Sequence, residues 1–318
     1  MTDADKPTVS DWLARRPAIF SLAGLVVLCV AMGFVSDRFC TWENLSNVAR
    51  QVSINAIIAT GMTIVILTGG IDLSVGAVMT LTMTCSAGAM LAGASVWLAV
   101  LLGLAIGALC GALNGALIAY ARLPAIIVTL ATMEILRGIA LLYTGGYPQS
   151  GLPESFAFLG RGDVWGVQAP IIVMLAVYVG AFVLLEYFPV GRYFYGLGGN
   201  EEAVRLSGVR VERYKCLAYT LSGCTAAISG LVLTSRLMSG QPNAGIGFEL
   251  DAIAAVVLGG TSITGGRGSI VGTLIGAFTL GLLNNGLNLM SVSPYTQKIL
   301  KGVIILLAIY AGSFKRDR

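Results

Sequence analysis

Histidine is absent from the 318 residues. Its absence removes H-E-x-x-H metal sites, Ser–His and Cys–His nucleophile pairs, and intramembrane proteolysis with a histidine base. Charge is scarce as well: aspartate, glutamate, lysine and arginine make up 11% of the chain, where a soluble domain carries about 25%. No G-x-x-x-x-G-K-[ST] phosphate loop occurs, so work driven by ATP requires the nucleotide to sit on another chain. The six cysteines (Cys29, Cys40, Cys85, Cys110, Cys216 and Cys224) have no C-x-x-C spacing. Lying mostly in apolar segments, they read as small apolar filler, with neither a disulfide framework nor a metal site. No basic run points to nucleic acid.

What the chain has is apolar length. Hydrophobic residues form 56% of it and the mean hydropathy is +0.83, values of a polytopic membrane protein. With about 20 apolar residues needed per crossing, ten spans are expected, at 18–36, 47–68, 72–93, 96–120, 124–143, 168–188, 214–236, a short one near 251–264, 268–290 and 297–313. The first apolar run is longer than a signal-peptide core and lacks a small-residue cleavage site, so it reads as a retained span. An all-α, single-domain architecture follows. Placing the N-terminus in the cytoplasm puts thirteen lysines and arginines inside and six outside, with Arg137 within a span, which obeys the positive-inside rule. Ten spans then leave both termini, including 1–17, in the cytoplasm. The same topology makes 189–214 the large cytoplasmic loop and 144–167 the long external one.

Two glycine-rich turns break the apolar pattern. In ILTGGIDLSVGAVMTL, Asp72 follows Gly69 and Gly70 and is placed to accept the amide hydrogens of Ser74 or Val75. An aspartate at the middle of a span costs on the order of 2.5–3.5 kcal/mol. Asp72 therefore caps a tight hairpin near an interface or belongs to a discontinuous helix beside a translocation path. The stretch FELDAIAAVVLGGTSITGGRGSIVG repeats the theme, with Asp251 placed to cap the short eighth span, Thr261 in the glycine-rich turn and Arg267 favouring the cytoplasmic side. Glu134 and Arg137, three apart in the fifth span, are expected to neutralise one another on one helix face. The glycine series in LLGLAIGALCGALNGALIAY suits close helix packing in lipid, and Asn114 within it either bonds across helices or lines a path.

GLGGNEEAVRLSGVR, at 196–210, is by contrast a short water-exposed helix. Asn200 is a good N-cap, Glu201 and Glu202 put negative charge on the first turn, Arg205 puts positive charge near the last, and Gly208 stands where a C′ glycine belongs. Two turns are too short to hold alone, so the segment leans on something. Ala203 and Leu206 share one face, and Glu201 and Arg205 can pair across the exposed one.

Taken together, TGGIDLSVG at 68–76, GGNEEAVRLSGV at 198–209, SGQPNAGIGFELDAIAAVVLGGTSITGGRGSIVGTLIGA at 239–277 and NNG at 284–286 resemble the permease subunits of bacterial ATP-binding-cassette importers for monosaccharides of the ribose, xylose and galactose type. The resemblance covers essentially the whole chain. It implies a multi-pass protein of the bacterial inner membrane, paired with a second permease chain, identical or similar. It also implies a separate ATPase that binds ATP and Mg, and a periplasmic sugar-binding protein. Gly199, Asn200, Glu201, Glu202, Ala203, Arg205, Leu206, Ser207 and Gly208 would then form the helix that couples to the ATPase. The external stretches 144–167 and 237–250 would meet the loaded receptor, and Gly70, Asp72, Ser74, Asn243, Asp251, Thr261 and Asn284 are candidates for the path or its turns. The chain itself would carry out no covalent chemistry. An ion-coupled secondary transporter of a small polar solute is the alternative, with Asp72 and Glu134 as its ionisable material. A membrane enzyme would need a nucleophile activated by a base, and the histidine-free chain offers no convincing pair.

Overall fold

Glycine decides how tightly the helices can approach. In the computed structural model, which describes residues 17–313, the glycines of α4 (Val96–Ala119) at 103, 107, 111 and 115 form one buried edge. That edge lies against α9 (Val211–Leu237). A Cβ on Gly107 would enter the carbonyl of Gly223, and one on Gly223 would enter that of Gly107. The opposite face of α4 carries exposed Trp97, Leu101, Leu109 and Leu113. One edge of the helix is thus shaped for backbone contact and the other for lipid.

Around this pair stand α1 (Pro17–Val35), α2 (Trp42–Leu67), α3 (Val75–Leu91), α5 (Ala125–Thr144), α7 (Ala169–Tyr187), α10 (Phe248–Leu258), α11 (Ile270–Leu289) and α12 (Pro294–Ser313), with α8 (Pro189–Leu206) between α7 and α9. The middle of the bundle is α2, buried from Ser53 to Leu67 except at Asn55 and packed on α7, α9, α10 and α11. Asn44 of α2 and Asn285 of α11 exchange two amide hydrogen bonds of 2.9 Å. In lipid such pairs hold helices together by polar contact.

A helix stands at each expected span position: α1–α5, α7 and α9–α12. Among the described residues, six of these helices (α2, α4, α5, α7, α9 and α11) are long and apolar enough to cross a membrane. The eighth element is short, as expected: α10 has 11 residues, about 16 Å at 1.5 Å per residue, half of the ~30 Å apolar layer. The N-terminal Lys6, Arg15 and Arg16 and the C-terminal Lys315, Arg316 and Arg318, on which the expected cytoplasmic placement of both termini rests, lie outside the described residues.

The loop between α5 and α7 is built rather than slack. It holds a strand β1 (Gln149–Ser150), a short 3-10 turn, the one-turn helix α6 (Phe158–Arg161), and a two-residue hairpin of β2 (Asp163–Val164) and β3 (Val167–Gln168). Trp165 at the hairpin tip is 99% exposed. β1 pairs antiparallel with β4 (Ser239–Gly240). The amide of Gly160 donates to Ser235 Oγ at 2.7 Å, so this loop sits on the end of α9.

Candidate functional site

Within α8, Asn200 has extended angles (φ −157°, ψ 96°) that break the helix in two. The break is a cap: Asn200 Oδ1 accepts the Ala203 amide at 3.0 Å. At the far end Gly208 has φ +85° and its amide donates to the Arg205 carbonyl at 3.0 Å. The left-handed C′ glycine expected at this position is therefore present.

What differs is the direction in which the helix faces. Arg205 bonds Glu201 at 3.1 Å and Glu212 of α9 at 2.5 Å, and Lys215 of α9 bonds Glu201 at 2.5 Å. These charges form the inner face, bridging to α9, with Glu202 farther out at 3.8 Å from Arg205. Glu212, through its hydrogen bond to Arg205, is the first cause of the rise in the Arg205 pKa above its ordinary value. The outward face carries Ala203, Ser207 and Leu206, the last 80% exposed. Helical spacing alone assigns Glu201 and Arg205 to the exposed face; they turn toward the chain's own helix because Glu212 and Lys215 complete their pairing there.

Immediately before the cap, Gly198 is wedged between two other glycine-rich turns. A Cβ on Gly198 would overlap the Leu67 carbonyl and the Gly266 amide, which are hydrogen-bonded to one another at 3.0 Å. Cβ atoms on Gly265 and Gly266 would in turn meet Gly69, Gly198 and Gly199. So the TGGID turn after α2, the TGGRG turn before α11 and the GLGGN joint of α8 touch backbone to backbone. Beside this junction a cavity of about 560 Å³ opens, lined by Gly69, Gly70, Arg122, Glu201, Arg205, Lys215 and Tyr219 among others.

Asp72 follows the first of these turns and is 1% exposed. Its Oδ1 accepts from the Ser74 amide at 3.0 Å and from Ser74 Oγ at 2.6 Å, and its Oδ2 accepts from Ser222 Oγ of α9 at 2.8 Å. Asn114 of α4 donates to Ser74 Oγ at 2.9 Å and accepts from Thr132 Oγ1 of α5 at 2.6 Å. The expected contact with Ser74 is present, while Ser74 is itself the residue preceding α3. Four elements are tied through one carboxylate, and such a satisfied network rigidifies where a partly satisfied one would destabilise. Gly70 leaves room for the buried Tyr219 ring, whose hydroxyl its Cβ would strike.

The segment after β4 departs from expectation. Instead of staying in an external loop, residues 241–247 run inward along α3. Gly240 lies against Met83 and Ala87, and Gly245 lies against Gly76 with its amide on Thr80 Oγ1 at 3.1 Å. The stretch of α3 from Ala87 back to Gly76 is about 16 Å long at 1.5 Å per residue. The amino end of α10 therefore lies beside the first turn of α3, well along that helix from β4.

Two ion pairs meet the first turn of α10. Glu249 accepts from Arg137 Nη2 of α5 at 2.8 Å, and both Asp251 oxygens accept from Lys301 Nζ of α12 at 2.9 Å. The close partner of Arg137 is thus Glu249 of another helix, while Glu134, the partner its spacing suggests, stands at 3.6 Å. The expected cap by Asp251 is not formed: the residue before α10 is Gly247, with no side-chain cap, and the Asp251 carboxylate bonds Lys301 instead. Glu249 and Lys301 were missed by sequence reasoning, and an ionisable residue in each of two apolar helices was the signal that could have found Lys301. Asn243 is exposed on the inward segment, and Thr261 is buried against Gly268. Asn284 is half-buried on α11; the interhelical amide pair falls to its neighbour Asn285. The structure therefore gathers Asp72, Ser74 and Gly70 in one region, leaves Asn284 apart from it, and joins the α8 joint at Gly198 to both turns. All six cysteines are free, and no cluster of metal ligands occurs among the described residues.

Comparison with known proteins gives a consistent result. The family model described as the branched-chain amino acid transport system / permease component matches residues 44–309. The ribose import permease protein RbsC of Bacillus subtilis (strain 168) is 50% identical over 288 residues, covering 90% of this chain and 89% of the relative. RbsC of Escherichia coli (strain K12) is 48% identical over 309 residues, 96% and 95% of the two chains. The L-arabinose transport system permease protein AraH of the same strain is 38% identical over 295 residues, 93% and 90%. No solved structure matches the chain.

Proposed function

The chain belongs to the permease family of sugar importers of the ATP-binding-cassette type, and from that premise we propose that it is the membrane subunit that passes a monosaccharide or sugar-like solute into the bacterial cytoplasm. A periplasmic binding protein delivers the solute, a separate ATPase subunit binds ATP and Mg, and a second permease chain completes the membrane unit. The single transmembrane domain crosses the inner membrane ten times with both termini in the cytoplasm. The carrying observation is the α8 joint: a capped two-turn helix with Leu206 and Ala203 facing outward, seated by glycine contacts on the turns that follow α2 and α10.

This arrangement supports the following mechanism. The outward apolar face enters a groove on the ATPase. Its charged inner face, held by Glu212 and Lys215, moves with α9, and the Gly198 wedge carries the displacement to both broken-helix turns. Tight backbone contacts transmit displacement because close-packed interiors have low compressibility. The test is uptake of radiolabelled ribose, arabinose or xylose into proteoliposomes holding the permease with the ATPase and binding protein from neighbouring genes. ATP- and receptor-dependent accumulation is expected. Accumulation by the permease alone, driven by a proton or sodium gradient, would overturn the assignment in favour of an ion-coupled transporter.

A further inference from the structure

Resting on the importer reading, we propose that Glu134 and Arg137 of α5, with Glu249 holding Arg137 in place, form the point at mid-membrane where the passing sugar exchanges hydrogen bonds with the protein. Glu134 is the tenth of the 20 residues of α5, about 14–15 Å from either end, and its side chain is 68% exposed. A carboxylate at that depth does not face acyl chains; ionisable groups within spans face the bundle interior or a water-filled cavity. The exposed edge of α5 at Glu134 is therefore the edge of a path.

The neighbouring backbone gives independent support. Residues 241–247 have irregular structure at membrane depth, with Asn243 and Ile246 exposed, and such backbone is tolerated only where it is buried in protein or borders water. It ends at the amino terminus of a half-helix, the kind of feature that lines substrate sites in transporters. Glu249, on the first turn of that half-helix, is 8% exposed. Its Oε1 takes Arg137 Nη2, and its Oε2 has no hydrogen-bond partner among the described residues. This anchors Arg137 between α5 and α10.

The spacing specifies the ligand chemistry. Arg137 Nη1 and Glu134 Oε1 are 3.6 Å apart, too far for a direct hydrogen bond. A hydroxyl, which donates and accepts, can bridge them by accepting from the guanidinium and donating to the carboxylate. The two carboxylates outweigh the one guanidinium, which disfavours anions and leaves neutral polyols as the fitting solutes. Contact is weak enough to release, as a path requires.

The test uses the complete transporter in proteoliposomes with radiolabelled ribose. Glu134→Ala should lower uptake at least about tenfold, the loss of one charge-assisted hydrogen bond, while the complex co-purifies with its ATPase and melts as before. Glu134→Gln, which keeps the acceptor and loses the charge, should restore most of the uptake; Glu249→Gln should likewise retain what Glu249→Ala loses. Glu134→Cys, in a chain whose six native cysteines are replaced by serine or alanine, should react with a membrane-impermeant maleimide and be protected by ribose delivered on its receptor. Wild-type uptake in Glu134→Ala overturns the proposal. So does loss of assembly together with uptake, or an introduced thiol that stays unreactive in every nucleotide state, as at a closed permease–permease contact. Failure of the wild-type complex to import any monosaccharide with ATP would overturn the importer reading itself.

Discussion

Replacing Gly198 and Gly199 one at a time by alanine separates wedge from spacer. At Gly198 the new methyl meets the Leu67 carbonyl and the Gly266 amide, so the two turns must part and their 3.0 Å hydrogen bond is strained or lost. Overpacking costs about 1–3 kcal/mol and the hydrogen bond about 1 kcal/mol more. The sum, about 2–4 kcal/mol, is a change of roughly 30-fold or more in the folded-to-unfolded ratio. At Gly199 nothing lies within 4 Å of the added Cβ, and the residue is absent from the glycines with positive φ. Alanine there should be neutral or stabilising by about 0.4–1 kcal/mol, through lower entropy of the unfolded chain. The assay is paired: melting of the detergent-solubilised permease, and sugar uptake by the reconstituted complex. Gly198→Ala should melt well below wild type and uncouple uptake from ATP, with Gly199→Ala matching wild type in both. Equal melting and equal uptake for the two variants would refute the wedge.

Other residues give independent checks. Asp72→Ala strands the donors of Ser74 and Ser222 in a buried site and should cost about 2–4 kcal/mol, whereas Asp72→Asn, keeping Oδ1 as acceptor, should recover most of the lost melting temperature. Leu206→Glu should leave insertion and melting unchanged but reduce co-purified ATPase about tenfold, the effect of losing one buried anchor at an interface; undiminished co-purification removes Leu206 from the contact. A double-mutant cycle on Asn44 and Asn285 should return a coupling of about 0.6–1.7 kcal/mol, the range for interhelical polar pairs in membranes.

The helix positions were legible because membrane insertion imposes a simple rule on sequence: long apolar runs, interrupted where the chain turns. Asn200 and Gly208 were legible for a similar reason, since caps are local and depend on residues within one turn of themselves. The facing of the two-turn helix was not, because Glu212 and Lys215, which draw Glu201 and Arg205 inward, lie on the next helix, and its angle is set by packing. The ten expected spans likewise did not reveal that 241–247 turns inward.

Composition, run length and nearest-neighbour chemistry were enough to specify a helical membrane chain with two glycine-rich turns and one capped helix between spans. Packing then settled that both turns and the helix joint meet at Gly198, that Arg137 answers Glu249 across two helices more closely than Glu134 along one, and that α10 begins beside the first turn of α3. Each of these depends on contacts between residues far apart in the chain, as with Asp251 and Lys301, 50 positions apart, or Thr63 and Thr273, 210 apart. A hydropathy pattern carries no record of such pairings, because it scores each residue against the solvent and never against its partner.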